Sequence, residues 1–320
     1  MITSGKTTAE ALGTEVEEAP EGELAQAIQG RSPWQLAFDR LRHDRVAIGA
    51  SVAIVLIAAM AVFAPLAAAI TGHGPDAQNV PPTGLPLAPS LKYPLGTDEL
   101  GRDLLVRIFY GARVSLLVGV VAAAVAATGG AVLGIVAGYF GGVVDTLLAR
   151  VFDVVLAMPY LVFAIALFTA LNGQGGITLD IAVIAFFSFG AVARIVRGQV
   201  LSIKEKEYIE AARSVGSSSL RIMFFDIAPN VAAQVIVYFS LLVPSSIIFE
   251  ATLAFLGIGV QPPTPDWGSM LSDSVQYYQV AWWYVVFPGV ALLGTTLAFN
   301  LLGDSVRDAL DPRYNRMLRG

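Results

Sequence analysis

Residues 210–229 read EAARSVGSSSLRIMFFDIAP and form a polar insert between two long hydrophobic stretches. Ala211 and Ala212 favour a helix and carry little bulk, so another surface could approach its backbone closely. Gly216 suits the left-handed position that ends a helix. Pro229 fits the first turn of the hydrophobic helix that follows, where its missing amide hydrogen costs nothing. The insert therefore predicts a helix, a sharp turn and a second short helix.

The start of the first helix in this insert is predicted from its flanking residues. Ser202 and Glu205 match the capping box S-x-x-E, which satisfies free amides at a helix start. Tyr208, Ala212 and Val215 recur at i, i+4 and i+7, so we expect them to share one face. From these residues alone, two interpretations remain open: a structural hairpin at the membrane face, or a docking element for a cytosolic partner.

The composition indicates a membrane protein. The chain is 55% hydrophobic and 14% charged, whereas soluble domains carry about 25% charged residues. Several apolar runs exceed the length of about 18 residues that indicates a transmembrane helix. We predict an all-α, polytopic integral membrane protein with about six transmembrane helices. The predicted spans are residues 46–70, 114–140, 146–171, 177–196, 231–253 and 280–302.

Two domains are predicted. Residues 1–35 are rich in glutamate and poor in large apolar side chains, so we expect a disordered cytosolic tail. Residues 36–320 form the transmembrane domain, with cytosolic helices at about 202–228, in the polar insert. Two amphipathic stretches, residues 31–45 and 96–116, predict helices that lie in the membrane interface.

Charges and glycines within the spans make two further predictions. Arg150 and Asp153 are spaced i, i+3 near the start of the third span, so we expect them to form an ion pair or to extend towards the membrane interface. Three glycines spaced four residues apart in the second span lie on one helix face, where small residues let helices pack closely. They are Gly130, Gly134 and Gly138.

The distribution of lysine and arginine predicts the orientation. With the N-terminus inside, 16 of the 20 basic residues fall on cytosolic segments and 4 on outer segments. Basic residues accumulate on the cytosolic side of membrane proteins. We therefore expect a multi-pass protein of the cell (plasma or inner) membrane, with both termini and the polar insert in the cytosol.

Some classes of site are disfavoured by composition. The sequence contains no cysteine and two histidines, His43 and His73, so thiolate chemistry is excluded and no metal site is expected. It contains no G-x-x-x-x-G-K-[ST] phosphate-binding loop and no H-E-x-x-H or G-x-S-x-G motif. We therefore expect no catalytic residues and no enzyme activity in this chain alone.

The pattern E-A-A-x-x-x-G at Glu210, Ala211, Ala212 and Gly216, followed by a proline, resembles the coupling motif of permease subunits in bacterial ABC importers. Further motifs resemble the C-type permease of dipeptide, oligopeptide and nickel importers; they occupy residues 96–103, 111–115, 250–259, 262–271 and 302–313. The resemblance covers about residues 35–313. This chain has Asp226 where the family usually has a histidine, and Ala228 where it usually has a leucine.

The resemblance implies a type I ABC importer permease fold and a set of partners. These are a homologous B-type permease subunit, two cytosolic ABC ATPase subunits and an extracytoplasmic substrate-binding protein, with membrane lipid and without nucleic acid. ATP and Mg would be bound by the ATPase subunits, and this chain would hold no cofactor. Its Glu-Ala-Ala helix, Gly216 and Pro229 would couple ATP hydrolysis to a pathway for di- or oligopeptides.

Several alternatives stay open at this point. Glu250, at the outer end of the fifth span, would contact substrate or act as a structural cap paired with the outer loop. The chain as a whole has three alternative interpretations: a proton- or ion-coupled secondary transporter, an ABC permease for nickel or another small solute, or a membrane scaffold. The few charges within its spans disfavour a secondary transporter. The sequence leaves the exact cargo, the residues that line the pathway and the role of the N-terminal tail undetermined.

Overall fold

A computed structural model describes residues 33–171 and 176–310, where the chain forms helices and no β-strand. The helices are α1 (Pro33–Leu41), α2 (Arg45–Val62), α3 (Ala64–Thr71), α4 (Leu104–Phe140), α5 (Gly142–Ala157), α6 (Tyr160–Ala170), α7 (Gly176–Ile203), α8 (Glu207–Ser214), α9 (Ser219–Arg221), α10 (Ala228–Phe255), α11 (Trp267–Ser274) and α12 (Trp282–Leu310). A π-helical turn, Ile222–Ile227, joins α9 to α10. The all-α prediction is confirmed, whereas nearly all of the predicted tail lies outside the described residues.

The number of membrane-spanning helices agrees with the sequence. Helices α2, α4, α7, α12 and the continuous segment Ser219–Phe255 are each long and apolar enough to cross a membrane. Helices α5 and α6 together pass the same test but are bent by 85° at the break between them. The described chain therefore has five spans, or six when the bent pair is counted as one.

The third span is broken, which corrects the prediction of one continuous helix over residues 146–171. Helix α5 ends at Ala157, and Met158 has an extended backbone with φ −76° and ψ 131°. Met158 precedes Pro159, and a proline ring clashes with a preceding residue in helical conformation. Tyr160 then starts α6 in a new direction.

The first span is also shorter than predicted. Helix α2 ends at Val62, and Phe63 separates it from α3. Pro65 lies in the first turn of α3, where a residue without an amide hydrogen is readily accommodated. The predicted span of residues 46–70 is therefore two helices.

Residues 96–116 do not form a separate interfacial helix. Helix α4 begins at Leu104 and continues to Phe140, and Asp103 caps it by accepting a hydrogen bond from the Leu105 amide. The charges that suggested an amphipathic helix are paired in the preceding loop, where Arg102 Nε lies 2.5 Å from Asp98 Oδ2. Burial raises the pKa of Asp98, and Arg102 opposes that rise. The ion pair between Arg102 and Asp98 therefore stabilises a loop where the sequence periodicity predicted a helix.

Helices α4 and α7 meet along the glycines singled out above. Each glycine lies against a valine of α7: Gly130 against Val192, Gly134 against Val196, and Gly138 against Val200. An added Cβ at Gly134 would lie 2.6 Å from the Ala193 carbonyl oxygen, well inside contact distance. We call this contact the glycine seam, and it confirms the predicted role of the glycines in close helix packing.

Two ion pairs join α5 to α7, and neither is the predicted one. Asp153 pairs with Arg194 at 2.5 Å instead of with Arg150, and Asp145 pairs with Arg197 through both carboxylate oxygens. Both arginines lie within α7, which continues to Ile203, beyond the predicted end of the fourth span at residue 196.

These two pairs differ in exposure, and we expect different effects from removing their acids. The Asp145 and Arg197 side chains are 16% and 29% exposed, whereas those of Asp153 and Arg194 are each 52% exposed. Asp145→Ala should cost on the order of 1–2 kcal/mol of stability, and Asp153→Ala close to zero. Thermal unfolding of the purified protein in mild detergent measures both. Equal shifts of the two midpoints would contradict this ranking.

Candidate functional site

The polar insert has the predicted shape of a helix, a turn and a second helix. Helix α8 ends at Ser214, and Gly216 follows with a left-handed φ of +87°. The Ser218 hydroxyl then caps α9 by accepting a hydrogen bond from the Arg221 amide at 3.4 Å. The helix–turn–helix prediction is confirmed.

Gly216 closes α8 with a Schellman motif. Its amide donates to the Arg213 carbonyl oxygen at 2.9 Å, and the Ser217 amide donates to the Ala212 carbonyl oxygen at 3.0 Å. This pattern requires a left-handed residue at the glycine position. No heavy atom lies within 4 Å of an added Cβ there. The requirement for glycine is therefore purely conformational.

The predicted capping box does not form. Ser202 lies within the last turn of α7, Glu205 follows that helix, and α8 begins at Glu207. Lys206 precedes α8 without a capping hydrogen bond from its side chain. Because α7 extends through Ser202, there are no free helix-start amides near it for the serine to accept from.

The face predicted to carry Tyr208, Ala212 and Val215 is not the face that α8 buries. Tyr208 and Val215 are exposed, by 43% and 87%, whereas Ile209 is fully buried and Ala212 is partly buried. Ile209 belongs to an apolar cluster with residues of α7, the π-helical turn and α10. The large aliphatic side chain of Ile209, rather than the i, i+4, i+7 spacing, determines which face turns inward.

Glu210 and Ala211 point away from this cluster and are exposed. Three large apolar side chains after the turn are exposed as well: Leu220 by 65%, Phe224 by 67% and Phe225 by 76%. These three line a shallow groove together with Arg221, and we call them the apolar patch. Sequence reasoning identified the helix but missed the exposed patch, which the adjacent phenylalanines in a polar insert could have indicated.

Pro229 lies in the first turn of α10, as predicted. The segment before it is π-helical, and the Ala228 amide donates to the Met223 carbonyl oxygen, five residues earlier. A proline inside a continuous helix leaves the carbonyl oxygen four residues earlier without a donor and crowds it. The wider π turn relieves that crowding. The Asn230 side chain also donates to the Asp226 carbonyl oxygen at 2.6 Å.

Glu250 lies five residues before the end of α10 at Phe255 and is neither a cap nor paired with the outer loop. Its side chain is buried, and neither carboxyl oxygen has a hydrogen-bond partner among the described residues. The prediction that it pairs with the outer loop is therefore wrong. In this chain the carboxyl is closed off from solvent, and a role in the substrate path stays a prediction.

Two further acids lie near Glu250, and sequence reasoning did not single them out. They are Asp180 of α7 and Asp266, both fully buried. Asp266 caps α11 by accepting hydrogen bonds from the Ser269 amide at 2.8 Å and hydroxyl at 2.6 Å. Burial raises the pKa of Asp266, and the bonds from Ser269 oppose the rise.

Comparisons with known proteins agree with this architecture. Residues 130–316 match the family described as "Binding-protein-dependent transport system inner membrane component". Residues 32–89 match a second family, "N-terminal TM domain of oligopeptide transport permease C". Together the two matches include the polar insert, Glu250 and the first span.

Three relatives align over most of their own length. A "Dipeptide transport system permease protein DppC" from Alkalihalophilus pseudofirmus is 41% identical over 88% of this chain and 90% of that protein. An "Oligopeptide transport system permease protein OppC" from Escherichia coli is 43% identical, over 89% and 93% respectively. A "Glutathione transport system permease protein GsiD", also from Escherichia coli, is 40% identical, over 91% and 94%. The chain therefore belongs to the family of binding-protein-dependent transport system inner membrane components, as a permease subunit of an ABC importer.

Proposed function

We propose that this chain forms half of a heterodimeric translocation pathway for di- or oligopeptides, paired with a homologous B-type permease. The cargo proposal rests on the names of relatives about 40% identical, two of which specify dipeptides or oligopeptides. A third relative at 40% identity is named for glutathione transport. The proposal therefore concerns the cargo class, and a substrate-binding protein outside the membrane would select the individual peptide.

The surface proposed to bind the cytosolic ATPase subunits consists of α8 and the turn at Gly216. Glu210 and Ala211 are exposed there, and Ala212 faces the apolar cluster beneath. Ala211 permits close approach of a partner, and Glu210 supplies a charged contact. ATP and Mg would be held by those partner subunits, since this chain has no phosphate-binding loop.

One observation carries the coupling proposal: α8 packs directly on the helices that cross the membrane. Ile209 shares an apolar cluster with Val196 and Val200 of α7, with Ile227 of the π-helical turn and with Val231 of α10. Since close-packed interiors transmit displacement rather than absorb it, a partner that pulls α8 would move the inner ends of α7 and α10. Such a shift can switch the pathway between two packings.

The proposed orientation places this surface in the cytosol. Helix α1 contacts the end of α12, where Arg40 Nη1 donates to the Ala309 carbonyl oxygen at 2.9 Å. The two ends of the described chain therefore lie on one side. The excess of basic residues supports assigning that side, which includes α8, to the cytosol.

A charge reversal at Glu210 tests the docking role. We expect Glu210→Lys to lower substrate-stimulated ATP hydrolysis by the assembled transporter about tenfold or more, because a partner charge would be left unpaired at the interface. The matched control is Glu207→Lys, since both glutamates lie in the first turn of α8 and are exposed. An equal loss in both variants would indicate a helix-dipole effect and would contradict docking through Glu210.

The cargo is tested separately. We expect a strain that lacks this chain to lose uptake of labelled dipeptides and to regain it when the gene is restored. Competition with unlabelled dipeptide, glutathione and nickel distinguishes the cargo classes. Unchanged dipeptide uptake in the deletion strain would overturn the peptide assignment. Uptake into vesicles that depends on a proton gradient without ATP would favour the alternative of a secondary transporter.

A further inference from the structure

Three buried carboxyl groups from separate parts of the chain lie near one another in the outer half of the helix bundle. Glu250 belongs to α10, Asp180 to α7, and Asp266 to the segment before α11. Each is at most 1% exposed. Asp266 and Asp180 both act electrostatically on Glu250. We call these three residues the acid cluster.

The acid cluster contains carboxyl and hydroxyl groups without hydrogen-bond partners. Both carboxyl oxygens of Glu250 and of Asp180 are unpartnered within the described chain. Ser115 of α4 lies next to Glu250 and is fully buried, but the two side chains do not meet the geometry of a hydrogen bond. Ser246, one turn before Glu250, is also buried and unpartnered. These hydroxyls and carboxyls point to a ligand that supplies hydrogen-bond donors.

Among residues 33–171 and 176–310, no basic side chain forms an ion pair with a member of the acid cluster. Arg107 of α4 is the basic residue that acts on Asp266. It already contacts Asp98 at 3.4 Å and Asp76 at 3.5 Å, and it donates to the Pro75 carbonyl oxygen at 3.1 Å. Three ionised carboxylates without a counter-charge cannot remain in a buried site. The ligand must therefore reduce the negative charge.

A bound metal ion does not fit this arrangement. Among the described residues, no group of three or more histidine, aspartate or glutamate side chains has the geometry to hold a metal ion. Protons do not require several ligands directed at one point. Each carboxyl group can bind one proton and then donate a hydrogen bond to a neighbouring oxygen. The arrangement is therefore matched to protons.

We propose that Glu250 and Asp180 form a proton-binding site, in which the neutral acids and Ser115 stabilise the packing of α4, α7 and α10. The proton enters as H⁺ from water and is released to water when the cluster is hydrated, without any oxidation or reduction. The groups that face Glu250 are Asp180, Asp266 and Ser115. The site is independent of cargo identity and of ATPase docking.

The direction of the pH effect follows from linkage. A buried acid that holds its proton in the folded protein and loses it in the unfolded chain makes the folded state bind more protons. Stability then falls as the pH rises. The pH range over which stability falls begins near 3.8, the ordinary pKa of aspartate, at which carboxyl groups of the unfolded chain lose their protons. Asp266 contributes to the same decrease, because burial raises its pKa.

The test uses the purified transporter complex in detergent. We expect the thermal unfolding midpoint of wild type to decrease as the pH is raised from about 5 to 8, because the buried acids then hold protons that the unfolded chain has lost. Glu250→Gln should lose most of this slope, since glutamine is close in shape to the neutral acid. Asp180→Asn should reduce the slope similarly, and it replaces Glu250→Gln as the test variant if Glu250→Gln does not fold. The control is Asp273→Asn: desolvation and Glu99 raise the pKa of Asp273 to about 6, so this variant should lose slope only below about pH 6 and keep the slope between about pH 6 and 8.

Infrared difference spectroscopy provides a direct second measurement. Wild type should show the carbonyl stretch of protonated, buried carboxylic acids. Glu250→Gln and Asp180→Asn should each lose part of that band above about pH 6, whereas Asp273→Asn should retain it. A band that is absent in wild type would overturn the proposal. The proposal would also be overturned if the thermal unfolding midpoint rose with Na⁺ or K⁺ concentration in wild type but not in Glu250→Gln. The ligand would then be a monovalent cation.

Discussion

We expect Gly216→Pro to abolish substrate-stimulated ATP hydrolysis by the assembled transporter, while the variant chain still inserts into the membrane. Proline fixes φ near −65°, whereas Gly216 has φ +87°. The substitution also removes the amide that donates to the Arg213 carbonyl oxygen at 2.9 Å. The Schellman turn cannot form, so α8 would lose its fixed position relative to α9 and the apolar patch.

Milder substitutions at Gly216 separate backbone conformation from side-chain contact. An alanine in the left-handed conformation costs roughly 1–2 kcal/mol, so Gly216→Ala should lower the stimulated rate about tenfold. Gly216→Asn should retain more activity, because asparagine tolerates that conformation. Gly198→Ala is the control, since Gly198 lies within α7 and an added Cβ there meets no atom within 4 Å. Normal stimulation in Gly216→Pro would contradict the coupling role of the turn.

Gly134→Val prevents stable assembly of the helix bundle, which is the second large effect that we expect. The Cβ alone would lie 2.6 Å from the Ala193 carbonyl oxygen and 2.9 Å from the Val196 Cβ. Backbone cannot yield as a flexible side chain does, so the helices must separate. Overpacking of this kind costs about 1–3 kcal/mol and sometimes more. Loss of folded protein in the membrane fraction and a lower unfolding midpoint would measure it.

The control for the glycine seam is a glycine of α4 that lies off the seam. Gly129 lies on the same helix, adjacent in sequence to Gly130, and an added Cβ there meets no atom within 4 Å. Gly129→Val should therefore leave the amount and stability of the folded protein nearly unchanged. A similar loss in both variants would show that α4 itself, and not its contact with α7, is sensitive to branched side chains.

The features that the sequence predicted well depend on local chemistry. Hydropathy located the spans because length and apolarity are sufficient for a membrane helix. The spacing of Gly130, Gly134 and Gly138 predicted a packed face because helix geometry alone aligns them. Gly216 indicated the turn because few residues adopt a left-handed backbone.

The features that the sequence did not predict depend on contacts between residues that are distant along the chain. Asp153 pairs with Arg194, 41 residues away, instead of with nearby Arg150. The capping motif at Ser202 was overridden because α7 continues through it. Asp180 joins the acid cluster only because α7 lies beside α10. In each case tertiary packing decides among local alternatives that the sequence leaves equivalent.

The glycine seam also determines where the protein can bend. Along it, glycines of α4 lie against the backbone and the valine Cβ atoms of α7, and α4 contributes no side chains there that could slide or repack. Two helices in such contact should move as one rigid body, so an access cycle must place its hinges elsewhere. We expect one such hinge at the 85° break between α5 and α6. Cross-linking α4 to α7 should therefore be tolerated during transport, whereas cross-linking α5 to α6 should arrest it.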